Sequence, residues 1–369
     1  MKLFLAWFTR SLQRWRRVLI LLAMITPLAV FFGDHHRRWA IYLHARGVPK
    51  THSLPIDQSG YRIEELPFQL GASYAREHIV HLTDTRGRIY RHDDRENGAP
   101  KIIGDSHIRP RLIFVSARGT IFVSGLGFPT LRSRDGGKTW TQTHELSVWR
   151  MTENEAESVI YAGIYTRKDR PRHHARLLKS SDEGETWQTV FEDTRLDHIH
   201  SVRWDPRYRR LYMSAGDGPW RGQAFSDDRG KTWSWMASGG KQGHTDVAIS
   251  ERFVLWGSDD NLGRILRAPR SAVAPGETIL WASDHHVWWI VGRGRQIYAG
   301  TLTGERNKYS GAYLLASGDE GATWQKLLED NDGGAPLSAF QAESRELSAM
   351  GWLYCATLSG KSYRVRRER

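Results

Sequence analysis

The chain has 369 residues with one cysteine and a formal charge of +12, a length that admits two or three ordinary domains unless internal repeats build a single larger unit. Cys355 alone excludes an intrachain disulfide and any zinc cluster built on cysteines. The basicity sits at the ends, with nine Lys or Arg against Asp34 in residues 1–50 and five against Glu368 in 361–369, so the balanced body excludes nucleic acid as its partner and points the ends to a membrane surface.

Residues 1–17, MKLFLAWFTRSLQRWRR, read as a basic amphipathic arm with Leu3, Phe4, Trp7 and Phe8 near one helical face. The run from Val18 to Gly33 is uncharged. It is long for a signal-peptide core, a little short of the roughly 20 residues of a full span, and followed by bulky residues where a signal peptidase needs small ones. An uncleaved transmembrane signal anchor is expected over 18–33, with Arg16, Arg17, Arg37 and Arg38 snorkelling and Trp15, Trp39 and Tyr42 at the interfaces. A short arm before the anchor and a large body after it favour an N-terminus inside and a body outside the cytoplasm. Residues 34–60 form the juxtamembrane linker.

From residue 61 to 369 seven strand-like runs recur: IVHLT (79–83), TIFVSG (120–125), VIYAG (159–163), RLYMSAG (210–216), FVLWGS (253–258), QIYAGT (296–301) and WLYCAT (352–357). Around them short β-branched and aromatic stretches alternate with period two and are broken by Gly, Asp and Asn. Regular strand clusters every 40 to 50 residues are the signature of a β-propeller, here all-β with a single ring of seven blades. The last unit ends short of an outer strand, so a segment within YRIEELPFQL (61–70) is expected to complete it.

Four units carry an octapeptide: SRDGGKTW (133–140), SSDEGETW (180–187), SDDRGKTW (226–233) and SGDEGATW (317–324). A degenerate copy, APGETILW (274–281), keeps Gly276, Thr278 and Trp281. Physically, Gly137, Gly184, Gly230 and Gly321 supply positive φ at a tight turn. Asp135, Asp182, Asp228 and Asp319 accept from turn N–H groups, helped by Ser133, Ser180, Ser226 and Ser317. Trp140, Trp187, Trp233 and Trp324 pack between blades. These are structural jobs, not catalytic ones.

If the octapeptide joins the third and fourth strands, the opposite rim is built by the segments leading into each innermost strand and the loops between second and third strands. Five of those lead-ins carry histidine: His107, His144, His198 with His200, His244, and His285 with His286. Acids come from Asp217, Asp259 with Asp260, and Asp246. Three readings follow: a divalent metal held by residues such as His200, His244 and Asp246; polar ligand groups such as sugar hydroxyls, stacked on Trp149, Trp204, Trp220, Trp288 or Trp289; or histidines that cap strand ends. Two longer loops add Arg170 and Arg172 (in 165–176) and Glu305, Arg306 and Tyr309 (in 303–313), which suit an anionic ligand or form a solvated surface.

The spacing S-x-D-x-G-x-T-W resembles the Asp-box, or BNR, repeat of sialidases, xyloglucanases, sortilin-type receptors and photosystem II assembly factors. The resemblance implies a propeller with the boxes at its periphery, away from the ligand site. Sialidases also carry an Arg-Ile-Pro element and a Tyr–Glu nucleophile pair; here the nearest match is HIRP, with Arg109 and Pro110 in altered order, and Tyr309 has no assignable Glu partner, which argues against a sialidase. Xyloglucanases usually pair two such rings, and this chain has one. The expected function is a membrane-anchored binding or assembly module for a glycan or a membrane-protein partner, requiring no cofactor. The alternative is a polysaccharide hydrolase or lyase using a carboxylate pair among Asp217, Asp246, Asp259 and Glu305.

Overall fold

The second-strand runs are rich in β-branched and aromatic residues, and the fold buries them almost throughout: Ile121–Ser124, Val159–Ile164 and Arg210–Gly216 have no exposed member. A computed structural model describes residues 54–368, apart from 97, 166–173, 218–219, 238–243, 260–262, 273–277, 284, 303–310, 332–339 and 342–345. Seven four-stranded antiparallel sheets result. Blades 1 to 6 begin with the innermost strands Leu70–Arg76, Leu112–Val115, Val148–Asn154, His198–Asp205, His244–Ile249 and His286–Arg293, and each uses four consecutive strands. In blade 7 the order is Phe340–Gln341, Leu353–Thr357, Ser362–Arg367 and then Tyr61–Glu65, so the first strand of the chain closes the ring against the last.

That pairing runs from Tyr61 opposite Arg367 to Glu65 opposite Tyr363. It also explains the basic C-terminus. Arg364 and Arg366 belong to a strand and stack on Trp352, each 4.6 Å from the ring, and Arg364 meets Glu64 with Nε 2.6 Å from the carboxylate. The linker likewise ends earlier than residue 60: Ile56 bridges Lys326 in parallel, and Asp57 donates its N–H to the Lys326 carbonyl at 2.8 Å, on the outer strand of blade 6. The arm 1–17, the anchor 18–33 and residues 34–53 lie outside the described residues; among the described ones no helix is long and apolar enough to cross a membrane.

The octapeptides occupy the third-to-fourth-strand turns, on the face we term lower. In the first, the Ser133 hydroxyl donates to Asp135 at 2.7 Å and accepts from the Gly137 N–H at 2.8 Å; Asp135 also accepts from the Thr139 N–H and hydroxyl at 2.9 and 2.6 Å. The same bonds recur at Ser180, Ser226 and Ser317. Gly137, Gly184, Gly230 and Gly321 all have positive φ. So does the residue before each, and at three turns that residue is not glycine: Glu183, Arg229 and Glu320. These side chains reach the innermost hairpin of the preceding blade. Glu320 accepts from the Ser250 hydroxyl at 2.9 Å and from the N–H and Nε of Arg252 at 2.8 and 2.6 Å; Glu183 meets Ser116, and Arg229 meets Glu157. The tryptophans pack between blades, as Trp187 does by donating to Thr143 at 3.0 Å with its ring edge-on to Phe122. The degenerate turn around Gly276 lies outside the described residues, and Thr278 and Trp281 enter the outer strand of blade 5.

Candidate functional site

Near the upper end of the innermost strands the ladder slips by one residue in five blades. The slips fall at Leu70/Ala72, Val148/Arg150, Ile199/Ser201, His244/Val247 and Val287/Trp289. A bulge sets its extra residue outside the ladder register and re-aims its side chain. In three blades that residue is large: Trp149, His200 and Trp288, each half-buried.

Around His200 a stack builds up. The Trp149 and Tyr165 rings are 4.3 Å apart and nearly parallel, Tyr165 lies 4.1 Å from the His198 ring, and His198 approaches His200 with Nε2 to Nε2 2.7 Å. Two N–H groups cannot face each other at that distance, so one imidazole presents a lone pair. Asp217, in the loop after the second strand, places its carboxylate oxygens 3.9 Å from His198 Nε2 and 4.0 Å from His200 Nε2, and its side chain is 44% exposed. Gly216 makes the arrangement possible: a Cβ there would sit 2.1 Å from His200 Cε1 and 2.4 Å from its Nε2. Among the described residues this is the cluster of His and acidic groups able to hold a metal ion.

The remaining histidines fare differently. His144 accepts the Leu146 N–H on Nδ1 at 3.1 Å, ending its strand, and burial pushes its pKa down. His107 is an exposed turn residue at φ +56, next to Asp105. His285 is fully buried, edge-on to Tyr313 at 4.6 Å, and His286 is half-buried at the start of its strand. The side chain of His244 and the loops holding Arg170, Arg172, Glu305, Arg306 and Tyr309 lie outside the described residues. Trp220 is half-exposed with the Arg195 guanidinium 5.0 Å from its ring, and Asp259 is half-buried at the end of its second strand.

Two expectations need correction. Asp246 is buried, and among the described residues it does not join His200 in a group able to hold a metal ion. In the channel it accepts from the Ser201 hydroxyl at 2.7 Å, from the Ile290 N–H at 3.4 Å, and lies 3.6 Å from Arg150 Nε. Trp204 and Trp289 are not rim stacking faces: Trp289 is buried, with Gly300 leaving space for its ring, and Trp204 lines the opposite mouth.

That lower mouth holds a cavity of about 630 Å³ lined by Arg76, Glu77, Glu153, Glu155, Arg293 and Glu346 among others. Its charges answer one another. Arg76 donates to Glu153 and Glu155, both at 2.6 Å; Arg203, from blade 4, meets Glu346, from blade 7; and Arg293 lies 3.3 Å from Glu77. Burial raises the Glu153 carboxyl above its ordinary range despite Arg76. These ion pairs join residues of different blades around the cavity. These arginines lack the recurrence that marks the histidines of the lead-ins, although VWRMTEN (148–154) and HIHSVRWD (198–205) carry Arg150, Glu153 and Arg203 on innermost strands.

No family model matches the chain, and no curated protein does. Solved structures match it by fold. YCF48 bound to a D1 peptide aligns with a TM-score of 0.58 at 13% identity, over 86% of this chain and 100% of that one. A streptogramin B lyase gives 0.59 at 13%, over 84% and 98%. An ancestral GH74 enzyme gives 0.57 at 14%, over 82% of this chain and 44% of that one. At these identities the likeness is one of fold, a β-propeller, on which unrelated functions are built.

Proposed function

We propose that this chain is a membrane-anchored propeller of the Asp-box kind, held N-terminus inside and body outside the cytoplasm, that binds a partner at its upper rim. The partner is a glycan or an exposed segment of a membrane protein. The observation that carries the reading is the set of bulged residues Trp149, His200 and Trp288, half-buried where the innermost strands begin, with Tyr165 stacked on Trp149. Aromatic faces with a few polar groups beside them are the usual composition of such a site. The similarity to YCF48, a propeller of matching length seen with a peptide, supports a binding role; the GH74 neighbour keeps polysaccharide in view.

The test uses the full chain in detergent on a glycan array, alongside co-purification from membranes. Retention of one class is expected, weakened on the order of ten-fold by Trp149→Ala or Trp288→Ala, as truncating an aromatic anchor does. Retention indifferent to both substitutions would place the site elsewhere. Polysaccharide cleavage abolished by Asp217→Asn or Asp259→Asn would instead make the protein a hydrolase or lyase.

A further inference from the structure

We propose that His198, His200 and Asp217 bind one divalent transition-metal ion of the zinc class at the upper rim of blade 4. The proposal is independent of which partner the rim takes. Two imidazole nitrogens and one carboxylate suit zinc, which takes nitrogen and oxygen ligands without a geometric preference of its own. The two Nε2 atoms lie 2.7 Å apart, one Asp217 oxygen is 3.9 Å from His198 Nε2 and the other is 4.0 Å from His200 Nε2, and one donor atom from each residue lies within 4.8 Å of the other two. A tetrahedral ion with bonds of roughly 2.0–2.1 Å needs edges of roughly 3.3 Å, which lies between those values. A small swing of the His200 ring away from His198, with a turn of the exposed Asp217 carboxylate toward both rings, brings the separations to that edge.

Three features prepare that geometry. The bulge between Ile199 and Ser201 turns His200 toward His198, and Gly216 leaves the space that its ring fills. Tyr165 packs against the His198 ring, 4.1 Å away and tilted by 37°, and limits its movement. Asp217 is the most exposed of the three ligands, so the remaining coordination position faces the rim and not the core. Metal binding requires both Nε2 atoms to present lone pairs. One ring already does so, and the other exchanges its Nε2 proton for one on Nδ1 through solvent.

The test uses the untagged full chain, stripped with chelator and titrated with Zn²⁺ by calorimetry at neutral pH. One equivalent is expected. His200→Gln and Asp217→Asn should each weaken binding by at least the roughly ten-fold that even outer-sphere changes cost. Zinc-edge X-ray absorption on the loaded wild type reads the site without relying on either variant folding, and should show two imidazoles with light-atom bonds of about 2.0–2.1 Å. Failure to bind stoichiometric zinc, unchanged affinity in both folded variants, or a spectrum with fewer than two imidazoles would overturn the assignment.

Discussion

A methyl group added at Gly216 would press on three atoms of the His200 ring. Gly216→Ala should therefore displace that ring and cost zinc affinity while leaving the fold intact, which circular dichroism beside the same titration would establish. The histidines were legible as candidates, since they recur in the lead-ins; which two would meet was not. That depends on a bulge, and a one-residue slip leaves no trace in a period-two pattern. His81 makes a different residue-scale prediction. It is buried in the second strand of blade 1 opposite Arg91, and burial, then that charge, lowers its pKa to about 4. Between about 6.5 and 4 the unfolded chain takes up a proton that the folded chain refuses, so stability falls as pH drops through that window and is level above it. From pH 7 to 5 the loss should be about 2 kcal/mol. His81→Leu should abolish this part of the slope, and urea midpoints at the two pH values would check it; parallel losses in both proteins would refute it.

At the scale of the element, the octapeptide turn does two things at once. Its Ser and Asp satisfy the turn, and the Thr232 hydroxyl and N–H hold the Asp228 carboxyl down to about 2. Its fourth residue fastens the neighbouring blade. The first function could be read from the repeated letters, because those letters are the ones that recur. The second could not, since the fourth position is Gly, Glu, Arg and Glu in turn and looks unconstrained. Glu320→Ala should remove three hydrogen bonds to Ser250 and Arg252 and cost about 2–3 kcal/mol. Glu320→Gly loses the same bonds but sits at φ +60 without a Cβ, so it should be the milder by about 1 kcal/mol. Urea unfolding of the two variants distinguishes this account from one in which the side chain matters only as bulk, where alanine would be the better tolerated.

Across the whole molecule, the count of seven blades and the need for an early strand to finish the last were legible from spacing alone. The slips that shape the rim were not, because a bulge within a hairpin is set by pairing and not by composition, and neither were the ionic contacts, which join residues from distant blades. Cys355 offers a probe of the closure. It is fully buried in the second strand of blade 7, and burial pushes its thiol well above the ordinary range. It should react with thiol reagents only when that blade opens. Tyr61 seals the same blade, edge-on to Tyr298 at 6.2 Å. Tyr61→Ala should speed labelling on the order of 100-fold, in line with the cost of removing a buried aromatic; an unchanged rate would mean that closure does not govern access. The strand that seals the ring is made before every other described strand, and its partner is completed about 300 residues later. At about 5–20 residues per second, Tyr61–Glu65 waits roughly 15 to 60 seconds for the neighbour that completes its sheet. During that interval six blades can assemble around an unfinished seventh with two open edges, the kind of surface on which nascent chains associate. Whatever escorts this chain through synthesis must shield one short segment while about 300 further residues are made.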